Sequence, residues 1–232
     1  MSKKISVLMA VYNDEINLPK SIDSILNQSY KNFEFLILDD CSSDGTLDVL
    51  HKYAERDDRI KIFKNDKNIG LTQSLNYLIN KCNGEIIARQ DSDDVSYKNR
   101  FNMQIKFMEE NNLDACSSLA KIKGKNKVIP FFSRYFNPKY VINFKNPVIH
   151  GSLMIYSKVL KDLGMYDEKF YYAQDYKLVK DLIKGSYKLK ILKKVLYELN
   201  MVNNISQIYN NEQKYFADCV KKNKAPVIDL NY

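Results

Sequence analysis

Four short apolar runs alternate with amphipathic stretches over residues 5–90, and this pattern constrains the fold more than any other feature. "ISVLMAV" (5–11) is continuously apolar, as a strand buried on both faces must be, and "NLPKSIDSILNQS" (17–29) then sets Leu18, Ile22, Ile25 and Leu26 on one helical face. "FEFLILDD" (33–40) repeats the strand, and "SSDGTLDVLHKYAERD" opens a second helix near Thr46. "IKIF" (60–63) is a short strand, "GLTQSLNYLINKC" (70–82) a third helix and "EIIARQ" (85–90) a fourth strand. Such alternation predicts an α/β chain with a single Rossmann-like, mostly parallel sheet flanked by helices on both faces.

Beyond that point the pattern loosens. "SYKNRFNMQIKFMEENN" (96–112) predicts a helix with Phe101, Ile105 and Met108 inward, and "DACSSLAKI" a strand. The polar stretch 123–147, with Pro130, Pro138 and Pro147, reads as a loop region near a substrate entrance. "VIHGSLMIY" (148–156) predicts a strand, "DYKLVKDLIKG" (175–185) a helix, "YKLKILKKVLYEL" (187–199) an edge strand with exposed lysines, and about 206–223 a last helix.

The 232 residues suffice for one large domain, and the net charge of +8 suits an anionic ligand, an acidic membrane surface or a nucleic acid. No helix-turn-helix, zinc-finger or aromatic RNA-binding signature accompanies the charge, so a nucleic-acid partner is not expected. Cys41, Cys82, Cys116 and Cys219 are far apart and form no CxxC pair, which points to reduced, mostly buried thiols. No window approaches the roughly 20 apolar residues of a membrane span, and the basic start lacks a small-residue cleavage site. The expected location is therefore cytoplasmic, with at most peripheral contact at the inner face of the membrane. Residues 185–232 hold eight Lys against four acidic residues, so "KLKILKK" is either a contact for an anionic membrane or a solvated edge strand.

Ligands of open α/β sheets sit at the carboxyl ends of the strands, which here carry "VYND", "LDDCSSDGT" and "RQDSDD". Neither GxGxxG nor GxxxxGK[ST] occurs, so a dinucleotide fold or a P-loop enzyme is not expected. The strand ends are acidic instead, and an anionic ligand would need a divalent cation as a bridge. Asp39 and Asp40 can accept hydrogen bonds from a base N–H or a ribose hydroxyl, or they can cap the turn into the helix at Thr46. Asp91, Asp93 and Asp94 follow a buried strand, where alternate carboxylates point the same way and can hold one hard cation with a diphosphate. A solvated turn is the plain alternative.

In order and spacing, "ISVLMAVYND", "LDDCSSDGT", "KNIGLTQSLNYLI", "IIARQDSDD", "HGSLMIYSKVLKDLGMYDEKF" and "AQDYKLVKDL" resemble the family 2 glycosyltransferases, inverting enzymes with a GT-A fold. The resemblance covers roughly residues 4–185. It implies a GT-A catalytic domain over residues 1–200, with a nucleotide-sugar half to about 115 and an acceptor half that carries a small sheet; residues 201–232 would be a helical extension. It also implies a nucleotide-sugar donor, most often a UDP-sugar, a glycan or lipid-linked acceptor, and Mg²⁺ or Mn²⁺ bound through a DxD motif. Asp93 would be the metal ligand, with Asp91 a second candidate. Asp91, Ser92 and Asp94 would lie near the ribose and diphosphate. Ala10, Tyr12 and Asn13 would line the nucleotide pocket, with Asp39 and Asp40 at the base and Arg89 beside the nucleotide or the DxD turn. Asp175 in "AQDY" would be the general base, preceded by Gln174 where Glu is more usual, and His150 would lie on the acceptor side.

One element departs from the family. Many members carry a Tyr-Arg-x-His element that helps to hold the metal or diphosphate, whereas this chain reads "LYELNMVNNIS", with Glu198 and Asn200 at the counterpart positions. Lys193, Lys194 or a lysine of a mobile loop are the candidates to replace it. The leading expectation is an inverting sugar transferase of surface-glycan assembly. Two rivals are a non-catalytic nucleotide-sugar binding subunit and a metal-dependent nucleotidyltransferase.

Overall fold

The computed structural model describes residues 2–202 and 209–227. Four strands, β1 (Ile5–Val11), β2 (Phe33–Asp39), β3 (Ile60–Lys64) and β4 (Ile86–Arg89), pair in parallel in the order β3-β2-β1-β4. Between them run α1 (Leu18–Leu26), α2 (Thr46–Ala54) and α3 (Leu71–Lys81). Then follow β5 (Val95–Ser96), α4 (Arg100–Glu110), β6 (Ala115–Ile122), β7 (Val128–Ile129), α5 (Pro138–Val141), β8 (Met154–Tyr156), α6 (Ser157–Asp162), α7 (Gln174–Lys184), β9 (Leu189–Leu199) and α8 (Asn210–Lys222). The later strands continue the same sheet as β4-β8-β6-β9-β5, with β7 paired to β6. The small second sheet expected on the acceptor side is thus the mixed half of one Rossmann-like α/β sheet, antiparallel at β4/β8, β8/β6 and β9/β5 but parallel at β6/β9.

Period-2 burial explains why the first strands read as unbroken apolar runs. Val7, Met9, Phe35 and Ile37 face a core built with Leu18, Ile22 and Ile25 of α1, Leu50 of α2 and Phe101, Ile105 and Met108 of α4. Leu8, Leu36, Leu38 and Ile87 face a second core filled by α3, α6, α7 and α8. The final helix packs on that second face through Phe216, Cys219 and Val220, and the buried Lys180 of α7 donates to the Val220 and Lys221 carbonyls at 2.5 and 2.9 Å. A cation at a helix C-terminus satisfies carbonyls that the helix itself leaves open.

Several sequence-based boundaries need correction. "VIHGSLMIY" is a strand only over its last three residues, because the chain first makes a 3₁₀ turn at His150–Ser152. The stretch 123–147 is not all loop: it contains β7, a 3₁₀ turn at Ser133–Tyr135 and α5, pinned by buried Val141 and Ile142. β9 keeps its exposed Lys190, Lys193 and Lys194, yet the outermost strand is the two-residue β5, which pairs with Tyr197 and Glu198. The helix expected at 206–223 is α8, and residues 206–208 lie outside the described residues. Among the described residues no helix is long and apolar enough to cross a membrane.

Glu34 locks the parallel half together. Burial disfavours its charge, but Ser6 Oγ at 2.6 Å, Lys61 Nζ at 2.9 Å, the Asn83 N–H at 2.7 Å and the nearby Lys4 outweigh it and hold the carboxyl down at about 2. A folded pKa below the ordinary carboxylate value means stability that is present above about pH 4.5 and lost as pH falls toward 2. Glu34→Gln is expected to cost about 1–2 kcal/mol at pH 7, since hydrogen bonds to a charged acceptor are replaced by weaker ones. The gap to the parent should close in acid. Denaturant melts at pH 7 and pH 3 check it, and a gap of equal size at both would contradict the charge assignment.

Candidate active site

The carboxyl ends of β1, β2 and β4 lie side by side, and hydrogen bonds lace their loops into one rim. Asn13, with φ of 50°, donates its N–H to Ser42 Oγ at 2.9 Å and accepts from the Ser43 N–H at 2.8 Å. The Asp14 N–H donates to Thr46 Oγ1 at 2.9 Å, and Ser92 Oγ donates to Asp14 Oδ2 at 2.6 Å, tying the β4 turn to the β1 loop. Asn13 and Cys41, two non-glycine residues at positive φ, lie in these loops. Backbone strain gathers at functional sites because the surrounding structure must hold it there.

Asp39 is fully buried at the end of β2; its Oδ1 accepts from the Ser42 N–H at 3.2 Å, while its Oδ2 has no partner. A buried carboxylate oxygen without a donor is costly, and a ligand N–H or hydroxyl arriving there would satisfy it. Ala10 is half-buried on β1 and Tyr12 is exposed on the following loop, both at this end of the sheet. Asp40 differs from the expectation. Its carboxylate is committed inside the fold, accepting from Asn65 Nδ2 at 2.8 Å, the Ile69 N–H at 3.0 Å and the Gly70 N–H at 2.8 Å. It shapes the approach to α3, where Gly70 at φ 84° lies so close to the Tyr171 ring that a Cβ would come within 2.6 Å.

The three aspartates after β4 have three different environments. Asp91 Oδ1 pairs with the buried guanidinium of Arg89 at 2.5 Å, whose other terminal nitrogen donates to the Leu8 carbonyl at 2.6 Å. Arg89 thus braces the turn from beneath. Asp94 is buried, and the Asn200 N–H donates to its Oδ1 at 2.7 Å. Burial, with the charges of Asp91 and Asp93 nearby, pushes its carboxyl up to about 9. Asp93 is the uncompensated member. Burial and the negative charges of Asp91 and Asp14 push it up to about 7, opposed by Lys123.

Beneath the turn lies a polar scaffold that local sequence does not announce. Gln90 donates to Ser21 Oγ at 2.9 Å and to the Asp94 carbonyl at 3.0 Å, and accepts from Ser96 Oγ at 2.6 Å. The fully buried Arg100 donates to Ser96 Oγ at 2.7 Å, Gln104 Oε1 at 2.9 Å and the Arg89 carbonyl at 2.8 Å. Two buried arginines under three carboxylates account for part of the charge balance, and Asp93 has no such partner.

Facing the turn is the second half of the site. The Tyr197 hydroxyl accepts from the Asp91 N–H at 3.1 Å, and Gly151 passes so close that a Cβ would lie 2.2 Å from that hydroxyl and 2.6 Å from Asp91 Oδ2. Gly151→Ala is therefore expected to cost about 1–3 kcal/mol as the turn is forced outward. A thermal melt reads it, and an unchanged melting temperature would contradict the packing. His150 Nε2 bonds the Tyr166 hydroxyl at 2.7 Å. Burial and the positive charge of Arg89 lower the imidazole pKa against the opposing pull of Asp175 and Asp91, so the ring is neutral at pH 7. Asp175 is the second residue of α7, and Ala173, not Asp175, is the cap; Asp175 Oδ2 accepts from Asn146 Nδ2 at 2.7 Å and Oδ1 from the Tyr176 N–H at 2.7 Å. Asp175, His150, Tyr166, Arg89 and Asp91 are thus close enough to feel one another's charge.

The counterpart positions of the missing Arg and His are occupied structurally. Glu198 pairs with Lys20 at 3.6 Å, and Asn200 holds Asp94 through its N–H. Lys193 lies over the Tyr135 ring, 5.6 Å from its centroid, while the cation acting on Asp93 is Lys123. Among the described residues no three Asp, Glu, His or Cys side chains converge as a metal cage. Asp93 with the free Oδ2 of Asp91 fits the other common arrangement, in which one or two carboxylates hold a divalent cation and substrate phosphates complete its shell.

A sheet with parallel strands ending in buried and paired carboxylates, joined to a mixed half that carries His150 and Asp175, defines the GT-A class of fold. TarS of S. aureus in complex with UDP-GlcNAc matches it with a TM-score of 0.74 at 20% identity, covering 97% of this chain and 68% of that one. Mannosyltransferase PcManGT of Pyrobaculum calidifontis, in complex with GDP-Man and Mn²⁺, gives 0.76 at 18% identity, covering 97% and 66%. The chain belongs to glycosyl transferase family 2, whose sequence profile it matches over residues 6–164. It is 33% identical over 213 residues to the uncharacterized glycosyltransferase MJ1057 of Methanocaldococcus jannaschii (86% of this chain, 71% of that one). It is 47% identical over 108 residues to EpsE of Bacillus subtilis (46% and 39%). With the O-antigen biosynthesis glycosyltransferase WbnJ of Escherichia coli it shares 37% over 163 residues (67% and 63%). The chain thus spans only part of the length of these relatives.

Proposed function

We propose that the chain transfers a sugar, with inversion, from a nucleoside diphosphate sugar to a hydroxyl of a glycan or lipid-linked acceptor in surface polysaccharide assembly. A UDP-sugar is the first donor to test. The observation that carries the reading is the pair of unmet acceptors at the ends of β2 and β4, which flank β1: the orphaned Asp39 Oδ2 and the uncompensated Asp93. The first wants a donor from a base or ribose, and the second wants positive charge. Family membership, the O-antigen role in WbnJ's name and the nucleotide sugars bound in TarS and PcManGT support it.

In this reading Asp39 meets the nucleoside and the rim residues Ala10, Tyr12 and Asn13 flank it. Asp93 and Asp91 Oδ2 would hold a divalent cation, Mg²⁺ or Mn²⁺, that shares the charge of the diphosphate. Asp175 takes the proton from the acceptor hydroxyl as its oxygen bonds the anomeric carbon, and the opposite bond from that carbon to the diphosphate oxygen breaks. The nucleoside diphosphate leaves with the electron pair. The two hydrogen bonds to Asp175 fix its orientation and leave each oxygen a second lone pair for the proton. His150, held neutral, lines the acceptor side. Lys123, whose charge acts on Asp93, is the candidate in this reading to steady the leaving diphosphate where Glu198 and Asn200 replace the family's Arg and His.

Product analysis after incubation with UDP- and GDP-sugars and Mn²⁺ tests the reading. Release of nucleoside diphosphate with an inverted glycoside is expected. Release of pyrophosphate would assign a nucleotidyltransferase, and tight binding without turnover would assign a binding subunit.

A further inference from the structure

The segment 123–147 carries far more charge and exposed apolar surface than sugar transfer uses. Lys123, Lys125, Lys127, Arg134, Lys139 and Lys145 lie in it, with no Asp or Glu, so this stretch alone contributes +6 in a chain of net +8. Among the described residues none of these six forms an ion pair. The same segment exposes Phe131, Phe132, Tyr135, Phe136, Tyr140 and Phe144, each between 55% and 78% accessible. Soluble surfaces seldom gather so many large rings in so short a stretch unless something covers them.

The rings stand on an anchored backbone. Val141, Ile142 and Val148 are buried in the core, the Tyr176 hydroxyl donates to the Ile142 carbonyl at 2.6 Å, and Asn137 caps α5. Phe131 and Phe132 pack edge to face at 4.8 Å, and the Arg134 guanidinium lies 5.5 Å from the Phe131 centroid and 4.9 Å from that of Tyr135. Lys193, 5.6 Å from the Tyr135 centroid, joins the exposed lysines of β9 to the patch.

We infer that residues 131–144, with the lysines around them, dock the protein onto the surface of an anionic phospholipid bilayer. Charge complementarity selects this occupant. A sugar-stacking platform needs rings but no excess of cations, and a protein-binding patch ordinarily mixes both signs at its rim. Rings at the headgroup level together with lysines facing anionic lipid use every feature present. The main contact is then this segment, with "KLKILKK" of β9 at its border and not its centre. Asn146, which holds Asp175, closes the segment, so docking would bring the acceptor side of the cleft to the lipid surface. The docking itself does not rest on the transfer reading, and its test contains no sugar nucleotide.

The chain has no tryptophan, so a single introduced Trp reports alone. The full chain is floated with vesicles of neutral phosphatidylcholine and with vesicles containing about 30% phosphatidylglycerol. Flotation with the anionic vesicles only is expected, with Phe132→Ser, Phe136→Ser and Phe144→Ser together lowering the partition on the order of tenfold or more. In a second measurement, Phe132→Trp should shift to the blue and be quenched by brominated acyl chains. Tyr77→Trp, beside Phe63 at the opposite edge of the sheet, should do neither. No flotation with anionic vesicles, equal flotation with neutral ones, a triple variant that floats like the parent, or a Trp at 132 unmoved by lipid would each overturn the inference.

Discussion

Asp175→Asn is expected to lower turnover by on the order of 10² to 10⁴, the usual contribution of a general base, while the donor binds as before. The substitution separates chemistry from structure because Asp175 is not the cap of its helix. Asn keeps an oxygen toward the Tyr176 N–H and loses only the acceptor that faces Asn146, a change worth about 1 kcal/mol. It cannot take the acceptor's proton. Initial rates and a thermal melt on the same preparation measure both. Transfer that persists within a few-fold would place the base elsewhere, with His150 the next residue to replace.

Asp93→Asn carries the second large effect, in two opposite directions. Nucleotide binding should lose its dependence on Mg²⁺ or Mn²⁺, because the carboxylate left without positive charge is gone. The parent's metal-dependent affinity should rise from pH 6 to pH 8, following a carboxyl pushed up to about 7, and the variant's should stay flat. Stability should move the other way. A carboxyl whose folded pKa is raised holds its proton longer in the native state, so the parent loses stability as pH climbs from about 4 to 7. Asn removes that penalty, and the variant should gain on the order of 2 kcal/mol at pH 8. A variant that still needs metal, or that melts lower than the parent at pH 8, would contradict the assignment.

The parallel half of the fold is legible in the sequence because strands covered on both faces must be continuously apolar, and β1 and β2 are almost wholly buried. The mixed half is less so. β8 is only three residues long because the chain turns tightly at Gly151 to pass Asp91 and Tyr197, and "VIHGSLMIY" gives no local sign of a contact with a residue 46 positions later. At the site, residue types are readable but their directions are not. Asp39 and Asp40 are neighbours at a strand end, where adjacent side chains point oppositely, and only Asp39 keeps an open oxygen. Asp93 and Asp94 divide in the same manner, one uncompensated and one bonded by Asn200. Tyr197 holds the turn from 106 residues away, and Arg100 and Gln90 hold it through buried side-chain bonds, so periodicity carries no trace of them. The prolines of 123–147 mark a break in the pattern correctly and hide a short helix fixed by Val141 and Ile142.

A panel of UDP- and GDP-sugars in a thermal-shift assay, each with Mn²⁺ and with chelator, tests most directly that the rim from Asp39 to Asp93 is a nucleotide-sugar site. Ligand bound only to the native state raises the melting temperature with its occupancy, by about 2.7 kcal/mol of stability at a hundredfold excess over Kd. At least one nucleotide sugar should stabilise the parent in Mn²⁺ and not in chelator, with the shift abolished in Asp93→Asn. No shift with any donor, or the same shift in chelator, would contradict it.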